Sequence, residues 1–143
     1  MHLKLLAIAT ILVFCFTSTS LAFAQNDDKI VVFHTEFGHL AIELFSDDAP
    51  NTAESFLKLA ESSFYDDTIF HRIIKDFMIQ GGDPNSKESD QSKWGQGGEK
   101  YGGGNLEAEF NSIKHDRGIV SMARSAHPDS AGSQFFIVHK NSP

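Results

Sequence analysis

The sequence predicts a mostly-β domain, built as an antiparallel barrel or an α+β sheet with one capping helix. Three observations lead there. Short runs rich in Val, Ile and Phe recur along the chain, separated by Gly-, Asp- and Pro-containing breaks. Helical spacing is confined to one early segment. The length of 143 residues, with 41% hydrophobic and 22% charged residues, suits one globular core and is too short for two domains.

Residues 1–24 read as a secretory leader. A weakly positive start at Lys4 precedes an apolar run over 5–16, and Ala22-Phe23-Ala24 supplies the small-x-small pattern of a cleavage site. Residues 5–24 are also about the ~20 residues that span a bilayer, so an uncleaved anchor is the alternative. Either form places the domain outside the cytoplasm, in a periplasmic, secreted or cell-surface setting. Residues 25–29 form a short linker and 30–143 the folded domain. The single cysteine, Cys15, falls in the leader, which leaves the mature domain without a disulfide or a thiol nucleophile.

Within the domain, 30–36 and 39–45 are β-rich and flank Phe37-Gly38, the signature of a hairpin. Leu40, Ile42 and Leu44 alternate with Ala41, Glu43 and Phe45, giving that strand one apolar face. Asp47-Asp48-Ala49-Pro50 marks a helix start, with Asp as N-cap and Pro in the first turn. Ala53, Phe56, Leu57 and Ala60 then recur at helical spacing, which predicts a helix over 50–61. Residues 68–74 and 78–82 predict a second hairpin around Lys75-Asp76-Phe77. The glycine-rich stretch 83–104 reads as a long loop, and loops of that length usually serve a function or are mobile. Strands over 118–124 and 133–139 complete the set.

Several chemistries are excluded by pattern. Without its leader the chain carries eleven Lys and Arg against 19 Asp and Glu, a charge of −8 that disfavours nucleic acid. No Gly-x-Ser-x-Gly elbow occurs. Asp83-x-Asn85 begins like a calcium loop, but Lys87 and Glu88 break it. Gly102-Gly103-Gly104 lacks the Lys-Ser/Thr of a phosphate loop. The histidines lack metal-ligand spacing; His34 and His39 face each other across the hairpin, and no metal centre is predicted. His71 cannot readily share a site with Arg72, because adjacent strand residues point to opposite faces.

The stretch 70–83, FHRIIKDFMIQGGD, carries the candidate chemistry. Phe70, Arg72 and Ile74 share a strand face. A three-residue turn at 75–77 sets Arg72 opposite Gln80 and Ile74 opposite Met78, with Phe77 alongside. The last strand adds Gln134, Phe136 and Val138 on one face. Periodicity alone favours reading Arg72 and Gln80 as ordinary solvated positions and the aromatics as core.

The same stretch resembles the signature segment of the cyclophilins, the cyclosporin-binding peptidyl-prolyl cis/trans isomerases. The resemblance continues at Gly118-Ile119-Val120-Ser121-Met122-Ala123-Arg124 and at Gly132-Ser133-Gln134-Phe135-Phe136-Ile137, and extends over 30–143. It implies a cyclophilin-like antiparallel β-barrel with a capping helix. It also implies Arg72 and Gln80 as catalytic residues, with Phe77, Met78, Gln134, Phe136, Ala123, the backbone of Arg124 and Gly95 binding substrate. The implied ligands are proline-containing unfolded or peptide segments and cyclosporin. The implied enzyme is a monomer without cofactor or metal that accelerates X-Pro isomerisation in extracytoplasmic proteins. A non-catalytic proline-peptide scaffold is the alternative.

Three departures from the family pattern stand out. Arg124 replaces the Asn that many members carry, and 84–94 is longer than in compact members. The chain also stops at Pro143, where the family continues with further strands and a second helix. The expectation from that last departure is a piece that is unstable or weakly active alone.

Overall fold

The computed structural model describes residues 29–141, so the leader and most of the linker lie outside the described residues. Two antiparallel sheets and one helix make up the fold. Strands β1 (Ile30–Thr35) and β2 (Gly38–Glu43) form the first hairpin, followed by α1 (Pro50–Glu61). Strands β3 (Arg72–Ile74), β4 (Met78–Gly81), β5 (Val120–Met122) and β6 (Phe135–Val138) form a four-stranded sheet in the order β3-β4-β6-β5. The two sheets face one core without joining edge to edge among the described residues.

Aromatic packing fixes the arrangement. Phe135 of β6 is 2% exposed. Its ring lies 5.6 Å from Phe33 of β1, 5.4 Å from Phe56 of α1, 5.7 Å from Tyr65 and 6.3 Å from Phe70. Such contacts contribute about 0.5–1.5 kcal/mol each beyond the area they bury. One side chain thus ties both sheets and the helix together, and it turns the opposite face of β6 outward.

The helix spans the predicted 50–61, but its details differ from the pattern. Ala53, Ser55, Phe56 and Leu59 are buried, while Leu57 and Ala60 are half-buried. Ser55 can be buried because its Oγ accepts the Tyr101 N–H at 3.0 Å. Neither Asp47 nor Asp48 caps the helix. Ala49 occupies the N-cap without a side-chain bond, and the capping acceptor is Glu109, 58 residues away in sequence. Its Oε1 accepts the Asn51 N–H at 3.0 Å and its Oε2 the Thr52 N–H at 2.8 Å.

Three further expectations are corrected. The strand predicted over 68–74 is paired only at Arg72–Ile74, so Phe70 does not share the Arg72 face and turns into the core against Gly81 and Phe135. On β2 only Ile42 of the apolar face is buried, and Leu40 stays 36% exposed. The long loop contains two 3-10 turns, Pro84–Lys87 and Gln91–Lys93, each begun by an Asp that accepts a backbone N–H two residues on. A cavity of about 490 Å³ opens between α1, β2, β5 and residues 106–113, and Phe110 stands 74% exposed at its edge.

Candidate active site

The site is built on the outward face of the four-stranded sheet. Asp76 adopts φ +61°, a left-handed conformation that Asp tolerates, and the Phe77 N–H bonds to the Ile74 carbonyl at 3.1 Å. This closes the three-residue turn read from the sequence and sets the pairs Arg72–Gln80, Ile73–Ile79 and Ile74–Met78. Strand β6 continues the rows, with Phe136 beside Gln80 and Val138 beside Met78, and β5 adds Ser121 beside Phe136. Directly opposed residues project to the same face. Arg72, Gln80, Phe136 and Ser121 therefore form one row, with Arg72 and Phe136 separated by two strand spacings, about 10 Å.

Along that row runs a chain of hydrogen bonds. Arg72 Nη1 donates to Gln80 Oε1 at 3.1 Å, and Gln80 Nε2 donates to Gln134 Oε1 at 2.9 Å. Gln134 Nε2 then donates to the Gly97 carbonyl at 2.7 Å. Gln80 is 8% exposed, whereas Arg72 is exposed. Among the described residues, no carboxylate pairs with Arg72. The guanidinium is thus held at one corner while its remaining N–H groups face outward, able to donate to a ligand.

Beside it stands an apolar wall. The Phe77 and Phe136 rings lie 6.0 Å apart, and Met78, 3% exposed, sits in the sheet beneath with Val138. The Ala123 N–H bonds to the Gln134 carbonyl at 2.8 Å, extending the β5–β6 pairing to the edge of the wall. Six of the residues named from the sequence therefore come together: Arg72, Gln80, Gln134, Phe77, Met78 and Phe136.

Gly95 and the Arg124 side chain lie apart from these six. Gly95 is exposed at φ +83°; its N–H is taken by the Asp83 carboxyl, and the carbonyl that reaches the row belongs to Gly97. The Arg124 guanidinium donates to the Ser125 carbonyl at 3.1 Å and lies 5.8 Å from the Phe110 ring, on the cavity side of β5. Sequence reasoning missed His115, whose ring stacks on Phe136 at 5.6 Å and 29°. It lies in a segment without strand or helix pattern, so no periodicity singled it out.

His71 precedes β3 and is turned toward Gly95, with neither ring nitrogen hydrogen-bonded among the described residues. His34 and His39 touch at 4.4 Å, but among the described residues no group of three metal-ligating side chains forms.

Residues 30–143 match the family model described as cyclophilin type peptidyl-prolyl cis-trans isomerase/CLD. Over 111 residues the chain is 50% identical to peptidyl-prolyl cis-trans isomerase 10 of Caenorhabditis elegans, covering 76% of this chain and 64% of that protein. It is 46% identical over 115 residues to peptidyl-prolyl cis-trans isomerase CYP18-1 of Arabidopsis thaliana, covering 79% and 67%. A crystal structure of a Cryptosporidium parvum cyclophilin-type isomerase, obtained in the presence of the dipeptide Ala-Pro, superposes with a TM-score of 0.72. It is 41% identical and covers 80% of this chain and 70% of that one. The chain spans about two thirds of the length of these relatives. The matched model, these identities and the shared architecture together establish that the chain belongs to the cyclophilin-type peptidyl-prolyl cis-trans isomerase family.

Proposed function

We propose that this protein accelerates cis/trans isomerisation of X-Pro peptide bonds, with Arg72 as the group that favours the twisted amide. The observation that carries this reading is a guanidinium exposed beside the Phe77–Phe136 wall, unpaired with a carboxylate among the described residues and anchored through Gln80 to Gln134.

Rotation about a peptide bond is opposed by ~18–20 kcal/mol because conjugation of the nitrogen lone pair must be broken. For X-Pro the two end states differ by only about 0.5–1 kcal/mol, so the reaction needs neither nucleophile nor energy source. It needs a surface that binds the twisted amide better than the flat one. The apolar wall takes the proline ring and excludes water from it. As the amide twists, its lone pair localises on nitrogen and becomes an acceptor. An Arg72 N–H aimed at that atom gains strength only then, which makes the bond selective for the transition state. Gln80 holds the guanidinium in place without neutralising it.

The clients are proposed to be extracytoplasmic proteins whose folding waits on proline isomerisation, a step of tens of seconds. The leader pattern of residues 1–24 supports that setting. Cyclosporin is proposed to compete for the apolar wall. The chain is proposed to act as a monomer.

The test is a proline-peptide isomerisation assay on the full chain. Arg72→Ala is expected to lower kcat/KM by about 10²–10³, the usual loss for one transition-state donor. Arg72→Lys is expected to recover little, since a flexible ammonium lacks the fixed fork of donors. Near-wild-type turnover in Arg72→Ala overturns the mechanism. Proline-peptide binding without turnover by the wild-type chain favours the scaffold reading instead.

A further inference from the structure

The chain of hydrogen bonds has ends of fixed polarity. Arg72 can only donate and the Gly97 carbonyl can only accept. The two glutamine amides between them have no intrinsic preference for which way round they sit. With both ends fixed, Gln134 must present its NH₂ to Gly97 and its oxygen to Gln80, and Gln80 must then present its oxygen to Arg72. The Gly97 carbonyl therefore anchors the far end of the chain that holds the guanidinium.

That carbonyl belongs to a loop fastened from beneath by Asp83. The Asp83 side chain is fully buried, and among the described residues no cation pairs with it. Oδ1 accepts the Asn85 N–H at 2.9 Å, and Oδ2 accepts the Gly95 N–H. Asn85 Nδ2 in turn donates to the Lys93 carbonyl at 3.3 Å. Gly97 is pressed onto this unit so closely that a Cβ there would lie 2.6 Å from Asp83 Oδ1 and 2.8 Å from Asn85 Nδ2. Gly98 backs onto Ser133, whose Oγ donates to the Gly82 carbonyl at 2.6 Å. A buried charge without a counter-ion is costly unless donors compensate it, and here both compensating donors are backbone N–H groups flanking the loop.

We infer that Asp83 is a positioning residue for the isomerisation site, acting through Gly95–Gly97 to aim the Gln134 and Gln80 amides and so the Arg72 guanidinium. This rests on the isomerase reading of that groove. Asp83 itself touches no substrate. The inference turns on both carboxyl oxygens being acceptors. Asn at this position has almost the same shape but one acceptor, so its NH₂ faces either the Asn85 or the Gly95 N–H, donor against donor. The Gly95 side is the freer of the two, because Asn85 lies within a 3-10 turn and Gly95 does not.

The test is a double-mutant cycle on the full chain with Asp83→Asn and Gln134→Met, read by kcat and KM separately and by NMR of the glutamine NH₂ and arginine Nε–H signals. Asp83→Asn is expected to lower kcat by about tenfold, within the hundredfold that a 1 Å misplacement can cost, with KM little changed. In the Gln134→Met background the same change is expected to cost less than about twofold, since groups acting as a unit are not additive. The Gln134 NH₂ and Arg72 Nε–H signals are expected to shift in Asp83→Asn. Equal losses in both backgrounds, or unmoved side-chain signals, overturn the inference. Should Asp83→Asn fail to fold, Gly97→Ala displaces the same carbonyl from above and is held to the same two criteria. A wild-type chain without turnover refutes the isomerase reading instead, and the NMR signals still report whether Asp83 positions the amides.

Discussion

Glu109 offers the sharpest test of how the helix is held. Pro50 brings no N–H to the first turn of α1, and Ala49 brings no capping side chain. The next two backbone N–H groups, of Asn51 and Thr52, both go to the Glu109 carboxyl, which also accepts Asn51 Nδ2 at 2.7 Å. Its segment is pinned nearby by the Leu106 N–H on the Ala131 carbonyl and the Ala108 N–H on Asp129, both 2.8 Å. Removing the acceptor in Glu109→Ala forfeits a cap worth about 0.5–2 kcal/mol and a helix-dipole term of about 0.3–1 kcal/mol. Water reaches these N–H groups once the carboxyl is gone, so the net is about 1–2 kcal/mol. For a domain of this size that lowers Tm by about 4–8 °C.

The pH dependence of this cap carries a sign. Burial pushes the Glu109 carboxyl up, but the hydrogen bonds from Thr52 and Asn51 outweigh it and hold the group below its ordinary value of 4.5. A carboxyl depressed in the folded state contributes stability that is present above its unfolded value and lost as pH falls through the folded one. The Tm gap between wild type and Glu109→Gln is therefore expected to be full at pH 7 and to close below about pH 4. Thermal unfolding followed by circular dichroism across that range reads both numbers. Parallel Tm curves down to pH 3, or an unchanged Tm in Glu109→Ala, refute the capping argument.

Two further outcomes follow from packing and burial. Gly82 sits at φ +79°, and a Cβ there would lie 2.6 Å from the Ser133 carbonyl, so Gly82→Ala is expected to lose about 2 kcal/mol or more, measured by urea denaturation. Burial pushes the Tyr65 phenol far above its ordinary value of 10, while its hydroxyl donates to the Ser133 carbonyl at 3.1 Å. Tyr65 is therefore expected to stay un-ionised in the folded protein when absorbance is followed near pH 10. Because Tyr65 ionises readily only when unfolded, stability is expected to fall as pH rises above that point.

What the sequence disclosed was whatever depended on local period and turn length. A three-residue turn at Lys75-Asp76-Phe77 sufficed to pair Arg72 with Gln80, since strand register follows from the turn. Helical spacing together with Pro50 sufficed to bound α1. The hidden features are those in which a side chain serves a distant backbone. Glu109 capping a helix 57 residues upstream leaves no trace in periodicity, and neither does Asp83 accepting the Gly95 N–H. Phe70 was assigned to the wrong face because alternation presumes a strand, and residues 68–71 are not in one. His115 reaches Phe136 only because a loop folds back, which no spacing rule encodes.

The division of labour within β6 explains why one row could be read so directly. Its inward residue Phe135 is the meeting point of the aromatic core, while outward Phe136 and Gln134, just before the strand, carry the candidate chemistry. A change at Phe135 therefore alters stability and site geometry together, whereas a change at Phe136 leaves the core untouched. The cavity between α1, β2 and β5 lies on the core side of this sheet, and none of Arg72, Gln80, Gln134, Phe77 or Met78 lines it. The chain of hydrogen bonds that holds Arg72 is assembled from Gln80, Gln134 and the Gly97 carbonyl. Whatever fills that cavity acts on the row by two routes: through β5, where Ser121 pairs with Phe136, and through His115, which lines the cavity and stacks on Phe136. Stability of the core and alignment of the guanidinium therefore meet at β5, at Phe135 and at the His115–Phe136 stack.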